Sequence, residues 1–179
     1  RSSFHLFDDN AEWLQMDKVG HTLTAYYIGY ANVRAMDWAG LPRKKAIWWG
    51  TMGLVYQTGL ELLDGFSTNW GFSVGDMIAN AAGTGILIGQ EYAWNEQRVL
   101  VKYSAHLTEF AEFRPEVLGR SPMERLLKDY NGQTYWLSAN IGSFLPQDSR
   151  FPKWLNLALG YSATEMISGI PNVDQYCNG

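Results

Sequence analysis

The chain is predicted to be mainly α: a three-helix core with a shared polar cluster, followed by a smaller C-terminal part of short helices and minor β structure. Three observations predict this. Apolar residues recur at helical spacing through the first half, each helix so defined carries one polar stripe, and after Arg98 the apolar period changes to two. With 179 residues the chain suits one domain and is too short for two comfortable ones. Residues 1–179 are therefore read as a single domain, with a helical core over about 14–92 and a mixed part over about 95–179.

The first helix runs from about Leu14 to Trp38. Leu14, Val19, Leu23, Tyr26, Tyr27, Tyr30 and Val33 supply its repeat, and Gly40-Leu41-Pro42 ends it. Pro42 fits the first turn of a second helix, where its missing N–H is not needed, and that helix continues to about Leu63. Asp64 to Phe72, with Gly65, Ser67, Asn69 and Gly71, is loop chemistry. Ser73-Val74-Gly75-Asp76 then fits a helix N-terminus, Ser73 accepting from a backbone N–H and Asp76 favoured by the local dipole. This third helix reaches about Tyr92. Ala81, Gly85 and Gly89, at intervals of four, form a small-residue stripe at which another helix backbone is expected to approach closely.

Val99, Val101, Tyr103, Ala105 and Leu107 alternate with Leu100, Lys102, Ser104, His106 and Thr108, the pattern of a half-exposed strand. Ser121-Pro122-Met123-Glu124 repeats the capping logic for a short fourth helix, closed by Asn131-Gly132. Tyr135 to Phe144 and Trp154 to Tyr161 fit either alternating strands or short helices, and Pro152 tips the second toward helix.

Lys and Arg number 14 against 18 Asp and Glu, a net charge of −4. The basic excess that phosphate neutralisation demands is missing, so no nucleic-acid partner is expected. Charged residues are 18% of the chain, against about 25% in an average soluble domain. They accompany eight Trp, ten Tyr and eight Phe. So much aromatic surface with so little charge implies a membrane or a membrane-protein complex as partner. Ala46 to Leu63 is the nearest approach to a spanning segment, but Thr51, Gln57, Thr58 and Glu61 interrupt it, which disfavours a single lipid-exposed span. Arg1 to Asn10 lacks the apolar run of a secretory signal, so any targeting segment is expected upstream. The only cysteine, Cys177, excludes an internal disulfide and a cysteine-based zinc site.

On the first helix, Asp17 and His21 are four apart with Lys18 beside them. On the second, Gln57, Glu61 and Asp64 stand at i, i+4 and i+7, and Asp76, Asn80 and Gly83 repeat that spacing on the third. Buried unpaired charges cost several kcal/mol each, so the stripes are expected to face one another. Asp17, Lys18, His21, Glu61, Asp64 and Asp76 then form an ionisable cluster with Gln57 and Asn80 as neutral members. Two readings follow. In one, His21 is a general base or metal ligand, with Glu61 and Asp76 as further ligands or acid–base partners. In the other, the cluster is a satisfied network that fixes which helix faces meet. No cofactor is expected, and a divalent metal is the one that this donor set admits.

Other residues have bland readings beside sharp ones. Arg43, Lys44 and Lys45 open the second helix, where the dipole disfavours cations; solvent or lipid phosphates would offset that. Trp13, Trp38, Trp48, Trp49 and Trp70 flank helix ends, as an interfacial belt or as core packing. His5 and His106 have no acidic neighbours at useful spacing and are read as ordinary residues.

Asp17-Lys18-Val19-Gly20-His21, Glu61-Leu62-Leu63-Asp64-Gly65 and Gly71 to Asn80 with Gly83 resemble the pattern of the YfiM-like bacterial lipoproteins, a family of unassigned function. A shorter form of the pattern resembles VanZ-like membrane proteins. Lys128 to Ser138 is similar to the longer members found in Bacteroidota, and the resemblance extends from about Trp13 to Met166. The chain departs from these patterns in showing no N-terminal cysteine for acylation and less uniformly apolar helices. The resemblance implies a bacterial cell-envelope protein, on the periplasmic side of the outer membrane. The expected function is non-enzymatic: a structural or accessory subunit docking onto a membrane or outer-membrane complex. The alternative is a hydrolase or lipid-modifying enzyme using the His21, Glu61 and Asp76 cluster.

Overall fold

Helix α1 (Met16–Trp38) is the central element, with α3 (Met52–Asp64) and α4 (Val74–Trp94) both packed on it and on each other. The computed structural model describes residues 2–169; Cys177 and its pairing lie outside the described residues. The mainly α class is observed, with a three-stranded antiparallel sheet in the C-terminal part.

The second expected helix is present in three pieces. Helix α2 (Arg43–Trp48) begins one residue after Pro42, a 3-10 turn covers Trp49–Thr51, and α3 follows. The break falls at a close approach to α1: a Cβ on Gly29 would lie 2.4 Å from Gly50 O. Two further approaches are tighter still. A Cβ on Gly53 would stand 2.0 Å from Ala25 O, and one on Gly83 would stand 2.1 Å from Thr22 O. No side chain fits against a backbone carbonyl at that range, so hydrogen is the only substituent these crossings admit. Thr22 Oγ1 adds a bond to Ala79 O across the same crossing, at 3.2 Å.

The stripe of Ala81, Gly85 and Gly89 does not make the helix contact expected of it. All three are exposed, and a Cβ on Gly85 or Gly89 would meet nothing within 4 Å. The reason is rotational: the face carrying Asp76, Asn80 and Gly83 is drawn toward α1 by its ion pairs and hydrogen bonds, which turns the small-residue stripe outward.

Helix α4 starts where its cap places it, with Ser73 Oγ accepting from Asp76 N at 3.1 Å. Its last turn feeds the sheet through Gln90. The Gln90 Oε1 accepts from the Arg98 and Val99 N–H groups at 3.0 and 2.7 Å, and its Nε2 donates to Val99 O at 2.9 Å. Strand β1 (Val99–Ala105) then pairs with β2 (Gln133–Asn140), Val101 opposite Leu137, and β2 with β3 (Asn156–Tyr161), Trp136 opposite Gly160. The lean of Trp154 to Tyr161 toward helix is therefore corrected. Pro152 serves a turn, with its carbonyl accepting from Leu155 N at 3.1 Å, and pairing with β2 decides the strand beyond it.

Short helices α5 (Phe110–Phe113), α6 (Pro115–Leu118) and α7 (Pro122–Lys128) join β1 to β2. The fourth expected helix starts at its Ser121 cap but ends at Lys128, before Asn131-Gly132, because Asp129 turns the chain into a 3-10 turn by accepting from Asn131 N. One apolar cluster joins Tyr26, Val33 and Leu87 to Val101 of the sheet, and a second joins Met16, Tyr135 and Met166. Among the described residues no helix is long and apolar enough to cross a membrane.

Candidate functional site

Three helix faces and the N-terminal segment meet at one cavity. Asp17, Lys18 and His21 come from the first turns of α1, Gln57, Glu61 and Asp64 from α3, and Asp76 and Asn80 from α4. Residues 4–9 run beside the loop that precedes α4, where Phe7 N donates to Phe72 O and Phe72 N to His5 O, both at 3.0 Å. That pairing delivers Asp9 to the cluster. Lys18 Nζ lies 2.7 Å from both Asp9 Oδ2 and Asp76 Oδ1 and 3.5 Å from Asp17 Oδ2. Ser73 Oγ donates to Asp9 Oδ1 at 2.7 Å while accepting from the α4 backbone.

His21 sits between two polar groups of different kind. On one side, Nδ1 stands 3.1 Å from Asn80 Oδ1 and 3.3 Å from Gln57 Nε2, and Gln57 Nε2 donates to Asn80 Oδ1 at 3.4 Å. On the other side, Nε2 faces Asp17 Oδ2 and Asp76 Oδ1, each 3.8 Å away. Glu61 lies on the Nδ1 side: its Oε2 accepts from Ser73 N at 3.2 Å, and its Oε1 is 3.8 Å from His21 Nδ1, beyond hydrogen-bond range. Asn80 Nδ2 and Thr84 Oγ1 are buried without a hydrogen-bond partner.

The cavity at this cluster has a volume of about 240 Å³. Its wall combines the carboxylates of Asp9, Glu12, Asp17, Glu61, Asp64 and Asp76 with Trp13 and Tyr130. Asp64 is thus on the wall but makes no side-chain bond to the cluster. Tyr130 OH donates to Asp17 Oδ1 at 2.7 Å, and its ring meets the edge of Trp13. The chain reaches α1 through a left-handed turn, with φ of 48°, 48° and 65° at Trp13, Leu14 and Gln15, a conformation that costs about 1–3 kcal/mol per residue outside glycine.

Burial pushes the Glu61 carboxyl above its ordinary range, more than the Ser73 N–H pulls it back. Burial likewise raises Asp76, against the opposing pull of Lys18. For Asp9 burial also acts upward, but the bonds from Lys18 and Ser73 and the ammonium charge outweigh it, and the carboxyl is held low. Lys18 is raised, its carboxylate partners overcoming burial. Burial, reinforced by the charge of Asp17, drives the Tyr130 phenol far up.

Among the described residues, Asp17, His21 and Asp76 form the group whose ligand atoms all lie within 4.8 Å of one another. This trio differs from the expected His21, Glu61 and Asp76 by exchanging Glu61 for Asp17. Asp9 and Tyr130 were missed by sequence reasoning: Asp9 lies outside any helical repeat, and no spacing rule links Tyr130 to Asp17. Arg43 is not left to solvent, since its guanidinium pairs with Asp37 and with the buried Glu91. His5 and His106 lie outside the cavity.

No curated protein matches the chain, and no solved structure does. Residues 5–88 match the family model described as "Predicted periplasmic lipoprotein (DUF2279)", a description that carries neither the YfiM nor the VanZ name. The matched stretch contains Asp9 and every α1, α3 and α4 residue of the cluster, so the chain is similar to a predicted periplasmic lipoprotein family across the part that supplies the cavity wall apart from Tyr130.

Proposed function

We propose that the protein is a non-enzymatic accessory protein of the bacterial cell envelope that docks onto the membrane surface, on the periplasmic side of the outer membrane. The family match supports the periplasmic, envelope location. The observation that carries the docking is the corner between α1 and α2. Trp38 is 91% exposed and Trp48 60% exposed, and between them Lys44 and Lys45 are exposed, with no carboxylate in ion-pair reach among the described residues. Indole rings favour the lipid–water interface, and lysines beside an anionic surface contribute about 1 kcal/mol each. Val55, Tyr56, Leu60, Leu62 and Leu63 of α3 extend the exposed apolar surface.

Flotation with vesicles containing anionic lipid tests this. The protein is expected to float with them, less so at high salt, and Trp38→Ala/Trp48→Ala and Lys44→Ala/Lys45→Ala variants should float less. Wild-type protein that stays unbound to every vesicle composition overturns the lipid reading and shifts it to a protein complex as the docking partner.

A second reading, a hydrolase or lipid-modifying enzyme, is favoured by one observation: His21, oriented by Asn80, borders a cavity that six carboxylates share. In that reading His21 takes a proton from a water or hydroxyl in the cavity.

A further inference from the structure

A second cavity, of about 660 Å³, lies between the sheet and the segment that joins β2 to β3. Residues alternate faces along a strand. Val101 packs with Tyr26, Val33 and Leu87 of the helical core, so Leu100 and Lys102 stand on the opposite face of β1, where they line this cavity. Its charge is opposite to that of the acidic cavity. Arg98, Lys102 and Lys153 line it against one carboxylate, Glu96, an excess of two positive charges in a chain whose net charge is −4. Asp148 and Arg150 of the joining segment lie outside the wall. The Lys102 and Lys153 ammonium groups have no ion-pair or hydrogen-bond partner among the described residues.

We propose that this cleft binds an elongated organic dianion: a molecule with carboxylates at two ends, either a free dicarboxylic acid or a short acidic peptide. The inference goes beyond the membrane reading and does not depend on it. Arg98 and Lys102 are four residues apart on nearly extended chain, about 13 Å, so the cations are spread along the cleft and not focused on one compact ion. The volume falls within the roughly 300–1,000 Å³ of small-molecule sites and is far more than a bare inorganic anion fills. Leu100, Leu145 and Phe151 give the carbon chain an apolar wall.

Arg98 is the group built to receive one end. Its guanidinium carbon lies 5.0 Å from the Trp94 ring centre and 5.4 Å from that of Phe144, and Nε donates to Glu96 Oε1 at 2.8 Å. Nη1 and Nη2 donate to no acceptor among the described residues. A planar fork held between two rings, with its outer nitrogens free, is suited to grip a carboxylate through two parallel bonds. The cleft is also held open in advance. Asn140 N donates to Arg98 O at 2.9 Å, its Nδ2 donates to Lys153 O at 2.8 Å, and its Oδ1 accepts from Ser143 N at 2.9 Å, which ties three parts of the wall together. A preformed site loses less ordering entropy on binding.

Titration calorimetry of the full chain with straight-chain dicarboxylates from succinate to sebacate, with triglutamate and with inorganic phosphate tests the proposal. Binding at one site per chain is expected, tighter for the long diacids or triglutamate than for succinate or phosphate, and weaker as salt rises. Triglutamate binding more tightly than every free diacid assigns the ligand to peptides, and the reverse order assigns it to free acids; either order supports the site. Lys102→Gln and Lys153→Gln, both at exposed positions, should each weaken binding about fivefold. Lys44→Gln, on α2 and outside this wall, should bind as wild type does. Amide NMR should place the ligand-induced shifts at Leu100, Ser143 and Gln147. No saturation at about 10 mM of any diacid or triglutamate, phosphate binding as tightly as sebacate and triglutamate, or equal weakening by Lys44→Gln and Lys102→Gln overturns the proposal.

Discussion

Lys18 of α1 and Asp76 of α4 meet at 2.7 Å, and this pair ties the start of the central helix to the first turn of the helix packed against it. Both residues are buried. Replacing Asp76 by Ala removes one partner of a buried pair and leaves the ammonium with Asp9 at 2.7 Å and Asp17 at 3.5 Å. The expected loss is about 2–4 kcal/mol, read by denaturant titration. The Ser73 cap is retained, because Ser73 bonds the backbone N–H of this residue and not its carboxylate.

Glu61 supplies a pH dependence whose sign follows from burial. Its folded-state carboxyl is raised, so its favourable contribution is complete below the ordinary glutamate range and is lost as pH rises through the folded value. Gln at this position keeps the Ser73 bond and never ionises. The melting temperature of Glu61→Gln relative to wild type, both with chelator, should increase from acid to neutral pH. A difference that stays flat or falls contradicts the assignment. Asp9, held low, acts oppositely: its contribution is present above the ordinary aspartate range and is lost as pH falls through its folded value.

Two glycines on one helix should respond in opposite directions. Gly83→Ala sets a Cβ against Thr22 O and should destabilise by about 1–3 kcal/mol or more. Gly85→Ala fills open space and relieves the helix penalty of glycine, a gain of about 0.5–1 kcal/mol. Thermal melts of both variants decide, and equal effects would mean that the stripe of Ala81, Gly85 and Gly89 is a contact after all.

Gln90→Ala should free the Arg98 and Val99 N–H groups and the Val99 carbonyl at the junction of α4 and β1. The expected cost is about 1–3 kcal/mol. Hydrogen exchange should show the Val99 amide losing protection before the centre of the sheet.

The local features of this chain were legible in its residues, because they depend on neighbours within a turn. The Ser73 and Ser121 caps, the limits of α1 and α4, the alternation of β1 and the polar stripes of three helices all follow from spacing. Burial cost alone argued that those stripes should meet. What spacing cannot specify is rotation and pairing between distant segments. Gly83 became the contact glycine of α4 while Gly85 stayed open because ion pairs and hydrogen bonds across the helices set the rotation of α4. The strand at Asn156–Tyr161 exists because β2 offers it hydrogen bonds, which outweighed the local helix signal at Pro152. Asp9 and Tyr130 joined the cluster through a β-bridge at Leu6–Phe72 and a bond to Asp17 spanning 113 residues. Chain packing, not local propensity, therefore set Asp17 rather than Glu61 beside Nε2 of His21: Nε2 points along α1 to its own first turn, while Nδ1 meets Asn80 and Gln57.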